Sequence, residues 1–156
     1  MSISVLFVCL GNICRSPTAH GVLLRKLSER GLGQRVQVDS AGTGAWHAGE
    51  PPDRRAQRHA ATRGYDLSGL GARQVESADF RRFTHILAMD RANLADLEQM
   101  RPADFSGELA LFLSYGSRGL LEVPDPYYGG AQGFEEVLDL VEDAAEGLIA
   151  RIGLPA

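Results

Sequence analysis

Two cysteines and an arginine lie close together near the N-terminus, in Cys9-Leu10-Gly11-Asn12-Ile13-Cys14-Arg15-Ser16. The run before them, Ile3 to Cys9, is rich in β-branched residues and almost continuously apolar, the pattern of a strand buried on both faces. Ser16-Pro17 reads as an N-cap followed by proline at the first helical position. Residues 9–16 are therefore predicted to join the carboxyl end of a buried strand to a helix N-terminus. Gly11 and Asn12 tolerate positive φ, so the loop can turn the N–H groups of Leu10, Gly11, Asn12, Ile13, Cys14 and Ser16 inward as an anion nest. The helix adds unpaired donors and the positive end of its dipole. Arg15 grips two oxygens at once with its planar fork, which lysine cannot do. The same field stabilises a thiolate, and Cys9 becomes a nucleophile aimed at a bound phosphate. The plainer alternative makes Cys9 a small buried residue and Arg15 a surface one. A nucleotide P-loop is excluded because no Gly-Lys-Ser/Thr follows, and the cysteine spacing matches no common zinc pattern.

Displacement at phosphorus by a thiolate needs a proton for the leaving oxygen and later a base for water. One carboxyl group serves both steps. Asp125, in Val123-Pro124-Asp125-Pro126-Tyr127-Tyr128, has a proline on each side restricting its backbone. Tyr127 and Tyr128 offer aromatic surface to a ring-bearing substrate. Taken alone, Asp-Pro is ordinary turn chemistry.

The elements that must position these residues alternate strand and helix. Helical spacing of Ala19, Val22, Leu23 and Leu27 ends at Gly31. Arg35–Ser40 is predicted as a second strand, 41–52 as a long loop, and Asp53–Arg63 as a helix stopped by Gly64. Thr84–Met89 reads as a third strand, and Asp90 caps a helix carrying Leu94, Leu97 and Met100. Leu109–Leu113 reads as a fourth strand, and 114–133 as a second long loop. A last helix carries Phe134, Val137, Leu138, Val141, Ala145, Leu148, Ile149 and Ile152. Asp139, Glu142, Asp143 and Glu146 read as its solvated face. This order implies an α/β fold: a single domain over 1–156, with a four-stranded parallel sheet flanked by helices on both faces, flavodoxin-like and doubly wound. Ligands in such sheets bind at the carboxyl ends of the strands, where Cys9 falls.

The chain has 156 residues, 16 basic against 20 acidic, for a formal charge of −4. That argues against a nucleic-acid or anionic-membrane partner. Two cysteines build no disulfide framework, and no apolar run reaches membrane-spanning length. Without a recognisable signal peptide, the expectation is a cytoplasmic protein.

The chain resembles the low-molecular-weight protein tyrosine phosphatases over nearly its whole length. Val8 to Pro17 is similar to the family signature, Asp39-Ser40-Ala41-Gly42-Thr43 to a second motif, and Asp125-Pro126-Tyr127-Tyr128 to the general-acid loop. Ala72-Arg73-Gln74 and Met89-Asp90 also match. The resemblance implies Cys9 as nucleophile, Arg15 as phosphate clamp and Asp125 as general acid and then base. It implies Asn12 and Ser40 as the polar support of the loop and Ser16 as a donor to the thiolate. Trp46, Tyr127 and Tyr128 would line the cleft for an aryl phosphate, though Trp46 also suits a simple loop anchor. No metal or cofactor is implied. The expected partner is a phosphotyrosine-containing protein, a tyrosine kinase or a kinase substrate, met by a monomer or weak homo-oligomer.

Two positions depart from the family pattern. Leu70 stands where similar members carry a histidine that joins the asparagine network, and His20 stands where they carry an acidic residue; His20 is expected to be an exposed helix residue. His47, His59 and His85 form no ligand pattern. Cys14 is near enough in sequence to trap an oxidised Cys9 as a disulfide, or it is plain buried packing. Three rival readings remain. An arsenate reductase on the same fold relays oxidation through further cysteines, and none follows Cys14. A phosphoarginine phosphatase tends to carry threonine where Ile13 stands. A non-catalytic phosphate-binding module would not need Cys9, Arg15 and Asp125 together.

Overall fold

A computed structural model describes residues 2–127 and 129–152. Four strands, β1 (Ile3–Cys9), β2 (Val36–Gly42), β3 (His85–Ala88) and β4 (Glu108–Leu111), form one sheet in the order β2-β1-β3-β4. All three pairings are parallel. Five α-helices are described: α1 (Arg15–Glu29), α2 (Arg54–Thr62), α3 (Asp79–Arg82), α4 (Arg91–Met100) and α5 (Ala131–Arg151).

The alternation of side chains along β1 builds two cores. Val5, Phe7 and Cys9 face α1 and α5, with Leu23, Leu27, Leu138 and Leu148 packed around them. Leu6 and Val8 face α3 and α4, against Phe80, Ile86, Leu97 and Phe105. Helices thus cover both faces in the doubly wound, flavodoxin-like arrangement, and β1 is apolar from Val5 to Val8 because neither of its faces meets water there. Each fully buried Leu or Phe contributes about 1.5–3 kcal/mol relative to exposure. Strand order reverses between β1 and β3, so the crevice beyond their carboxyl ends is the expected ligand site.

The boundaries differ from the sequence reading where tertiary bonds decide them. Strand β2 continues to Gly42 because it keeps pace with β1 up to the Cys9–Gly42 pair. Phe112 and Leu113 leave the sheet in a 3-10 turn, Phe112–Tyr115, against which α5 packs. A Cβ on Gly147 of α5 would fall 1.8 Å from the Tyr115 carbonyl, so only glycine permits that approach. The single-turn α3 has no sequence period of its own. It is organised by Asp79, a fully buried carboxylate that accepts from Arg73, Arg82 and the Glu76 N–H. Helix α1 begins one residue before Ser16, with Cys14 as its cap. The Ser16 side chain does not cap because it is engaged by the loop before it.

The acidic side of α5 is not a free solvated face. Arg63 pairs with Glu135, Asp139 and Glu142, Tyr65 donates to Glu142, Ser117 donates to Asp143, and Lys26 and Arg30 hold Glu146. These bonds tie α1, α2 and the 116–118 turn to the last helix.

Candidate active site

The loop from Cys9 to Ser16 is shaped by what its carbonyls are offered. Thr43 N–H donates to the Cys9 carbonyl at 2.9 Å and Gly44 N–H to that of Leu10 at 2.9 Å. Asp53 N–H donates to the carbonyl of Ile13 at 2.8 Å, and Thr18 Oγ1 to that of Cys14 at 2.7 Å. With the carbonyls drawn outward, the N–H groups turn in. Among the described residues, those of Ile13, Cys14 and Arg15 have no protein acceptor, which is the anion nest expected of this turn. A Cβ on Gly42 would meet the Leu10 carbonyl at 2.7 Å, so β2 can support the loop at this range only with glycine there. Asn12 sits at φ 57°, and Gly11 is not in the left-handed region.

The Asn12 side chain is fixed at both ends. Its Oδ1 accepts from the Arg73 N–H at 3.0 Å, and its Nδ2 donates to Ser16 Oγ at 2.7 Å. That occupies an acceptor lone pair of Ser16, and its hydroxyl hydrogen is available to Cys9 Sγ, 3.0 Å away. The Asn12 N–H reaches the same sulfur at 3.3 Å. Both donors favour a sulfur that carries negative charge. Leu70 is half-buried against the apolar core, and it is the Arg73 N–H that holds the Asn12 side-chain oxygen.

Arg15 is 3% exposed. Its Nη1 donates to Asp90 Oδ2 at 2.7 Å and to the Val123 carbonyl at 3.0 Å, and its Nη2 lies 3.6 Å from Asp125 Oδ2. Burial works against its charge. Cys9 beside it and the hydrogen bond it donates to Asp90 outweigh that, and the guanidinium is held more firmly protonated than usual. Asp90 is the residue that aims the clamp. It follows β3, caps α4 through the Asn93 N–H, and gives its other oxygen to Arg15. The sequence shows the cap; the ion pair depends on β3 lying beside β1.

Asp125 is exposed and accepts from the Tyr127 N–H at 3.1 Å. Its loop is anchored on each side: Val123 N–H donates to the Met89 carbonyl, and Arg55 Nη2 donates to the Tyr127 carbonyl at 2.9 Å. Arg55 also lies 5.4 Å over the Tyr127 ring and forks onto Asp53. Asp53 is thereby a junction, carrying the Ile13 carbonyl on its N–H and the α2 cap on its side chain.

A cleft of about 320 Å³ opens above these groups, lined by Cys9, Leu10, Ile13, Arg15, Asp125 and Tyr127, with Gly11, Cys14, Trp46 and His47 completing it. Trp46 is 72% exposed at its edge, as a wall for a bound ring would be. His47 was not singled out by the sequence. Its ring stands 6.2 Å from that of Tyr127, and Nδ1 is 3.1 Å from Glu50. Cys14 lines the cleft as a buried free thiol, pushed far above the ordinary thiol range by burial and then by Asp53 and Cys9. Tyr128 lies outside the described residues. Among those described, no group of three or more His, Cys, Asp or Glu could hold a metal ion.

His20 corrects an expectation. It is buried, 7% exposed, with Nδ1 3.0 Å from Ser40 Oγ. Helix α1 is packed between β2 and α5, so this face of its second turn looks inward.

A doubly wound sheet with a cysteine-arginine loop at its switch point and a carboxylate over it defines an α/β enzyme that handles phosphate. Comparison with known proteins makes this specific. The profile of the family described as low molecular weight phosphotyrosine protein phosphatase matches residues 4–154. The low molecular weight protein-tyrosine-phosphatase of Streptomyces coelicolor is 44% identical over 156 residues, covering 97% of this chain and 94% of that one. The crystal structure of a protein tyrosine phosphatase from Entamoeba histolytica, with Hepes in the active site, superposes with a TM-score of 0.93 at 39% identity, covering 97% of each chain. A Drosophila arginine phosphatase superposes with a TM-score of 0.90 at 32% identity, covering 97% of this chain and 99% of that one. The chain belongs to the low molecular weight phosphotyrosine protein phosphatase family and is a protein-tyrosine phosphatase.

Proposed function

We propose that Cys9, Arg15 and Asp125 carry out the hydrolysis of aryl phosphate monoesters through a cysteinyl-phosphate intermediate, within one catalytic domain spanning 1–156. The phosphoryl oxygens sit in the nest of loop N–H groups and on the Arg15 fork. The Cys9 thiolate attacks phosphorus as the bond to the aryl oxygen breaks, and Asp125 gives its proton to that oxygen. Water then enters, Asp125 takes its proton, and the phosphorus–sulfur bond breaks. Ser16 Oγ steadies the departing sulfur, and inorganic phosphate leaves. The developing charge meets donors that are already in place.

The observation that carries this reading is the arrangement around Arg15. A buried guanidinium, held by Asp90, lies at the loop that bears the Cys9 sulfur and reaches within 3.6 Å of Asp125. Nucleophile, clamp and acid therefore face one cleft. Hydrolysis of para-nitrophenyl phosphate in EDTA tests it. Cys9→Ser should remove activity by a factor on the order of 10⁴ or more, and activity surviving in that variant would exclude the mechanism.

Leu10, Ile13, Trp46 and Tyr127 give the cleft apolar and aromatic walls, which favours phosphotyrosine over phosphoarginine. Parallel assays on phosphotyrosine and phosphoarginine peptides decide between them. The protein partner is then a tyrosine kinase or a kinase substrate, met in the cytoplasm by a monomer or weak homo-oligomer. Among the described residues no helix is long and apolar enough to cross a membrane. Cys14 is assigned a protective role. Peroxide oxidises the Cys9 thiolate to a sulfenic acid, and the Cys14 thiol condenses with it, releasing water and forming a disulfide that an external thiol reduces. Cys14→Ser should then recover less activity after peroxide and thiol treatment.

A further inference from the structure

His20 is a buried titratable group that the mechanism above does not use. It lies four residues after Ser16, so the two side chains share one face of α1. Both reach the same stretch of β2. Ser16 Oγ lies 3.4 Å from the Ala41 carbonyl, and His20 Nδ1 lies 3.0 Å from Ser40 Oγ. Ser40 pairs with Phe7 across the sheet and so shares its face, toward α1, while Ala41 and Val8 belong to the opposite core. The side chain of His20 therefore meets a serine that strand register has fixed.

We infer that His20 is a positioning residue for the thiolate: its bond to Ser40 pins the second turn of α1 to β2 and thereby holds Ser16 Oγ on Cys9 Sγ. Ser16 already faces three partners, Cys9, Asn12 and the Ala41 carbonyl. Its hydroxyl serves the sulfur only while the helix stands at the right height above the strand. The Ser16–Ala41 contact is long and cannot set that height alone. The His20–Ser40 bond is shorter and buried, at 7% and 4% exposure, where an unpaired polar group would be costly. Burial keeps the imidazole neutral at pH 7, against a weaker pull from Asp39. Asp39 is the charged neighbour across β2, and it is itself engaged by Arg73.

This inference rests on the proposed roles of Cys9 and Ser16, and it is tested by kinetics and by alkylation. His20→Phe fills the space without a ring nitrogen. It should lower kcat about tenfold, the scale of one net hydrogen bond in the transition state. The loss should persist with good leaving groups, because Ser16 acts on the sulfur in both steps. KM should stay within about twofold, since phosphate is held by Arg15 and the loop N–H groups. Alkylation of Cys9 by iodoacetate at fixed pH should slow in parallel. His20→Asn, whose amide offers both a donor and an acceptor near the Nδ1 position, should recover most of the loss. Ser40→Ala should reproduce it, and the double variant His20→Phe, Ser40→Ala should be no worse than either alone.

A His20→Phe protein with wild-type kcat and alkylation rate overturns the inference, as do additive losses in the double variant. Should His20→Phe fail to fold, Ser40→Ala decides alone, and wild-type kinetics there overturns it. Absence of hydrolysis in the wild type would instead refute the proposed function.

Discussion

The loop that holds the proposed nucleophile and the loop that holds the proposed acid are built on opposite plans. In residues 9–16, Asn12, Arg15 and Ser16 are buried, and the carbonyls of Cys9, Leu10 and Ile13 face outward onto donors from other segments. In residues 123–127, Asp125 is exposed, and the segment is secured at its ends, by Val123 on Met89 and by Arg55 on Tyr127. The difference follows from what each must do. A cluster of N–H groups and a guanidinium stabilise transferring phosphate only if they are oriented beforehand. A group that gives a proton to a leaving alcohol and later takes one from water must let both in and out. One loop is held rigid by its neighbours, and the other is stiffened mainly by the prolines around Asp125.

If that contrast is right, damage to the two loops should separate in the kinetics. Arg15→Lys keeps the charge and loses the fork. It should cost about 10²–10³ in kcat/KM with every aryl phosphate tested, because the clamp acts whatever the leaving group is. Asp125→Asn should cost roughly 10² with phenyl phosphate and much less with para-nitrophenyl phosphate, whose phenolate departs unaided; a loss independent of leaving group would erase the distinction. Arg55→Leu frees the far end of the acid loop. A fall in kcat of about threefold is expected, with the rate of Cys9 alkylation changed less than kcat, since that arginine donates no hydrogen bond to the phosphate loop and reaches it only through Asp53 and the charge felt at Cys14. Alkylation that slowed as much as kcat would mean the two loops move as one.

The smallest effect is on stability. Burial raises the pKa of Asp53, but the hydrogen bonds and charge of Arg55 outweigh it and leave it below its ordinary value of 3.8. A carboxylate depressed in the folded state stabilises the fold fully above that value, and its contribution is lost as pH falls through the lowered one. Asn keeps the cap of α2 but not the charge. Asp53→Asn should therefore lower Tm by about 2 °C at pH 7, and the two melting curves should converge below pH 3.8.

Much of this was legible in the chain itself. Although Pro17 falls at the third helical position of α1 rather than the first, the apolar run of β1 and the periodicity of α5 each follow from local rules and stand as expected. The same holds for the end of α1, where Gly31 takes φ 69°, and of α2, where Gly64 takes φ 89°. Elements with no period of their own were not legible. The turn of α3 is organised by a carboxylate whose arginine partners lie six residues before it and three after. The acidic residues of α5 have a pattern that fits solvent as well as it fits partners, and only the packing of α1 and α2 against that helix brings the arginines to them.

For the site, the sequence by itself supplied the proposed chemistry. A cysteine and an arginine at the mouth of a helix, with a proline-flanked aspartate further on, are the side chains to which the proposal gives the roles of thiolate, clamp and acid, because those roles belong to side-chain types and to local backbone geometry. Tertiary structure alone decided who holds them in place. Asp90 on Arg15, Arg73 on Asn12, Arg55 on the acid loop and His20 on Ser40 are contacts between segments 20 to 75 residues apart. They exist because β2 and β3 flank β1 and bring their carboxyl ends to one edge. No local rule relates such residues, since a hydrogen bond between distant segments depends on register and layer, which the whole sheet fixes at once.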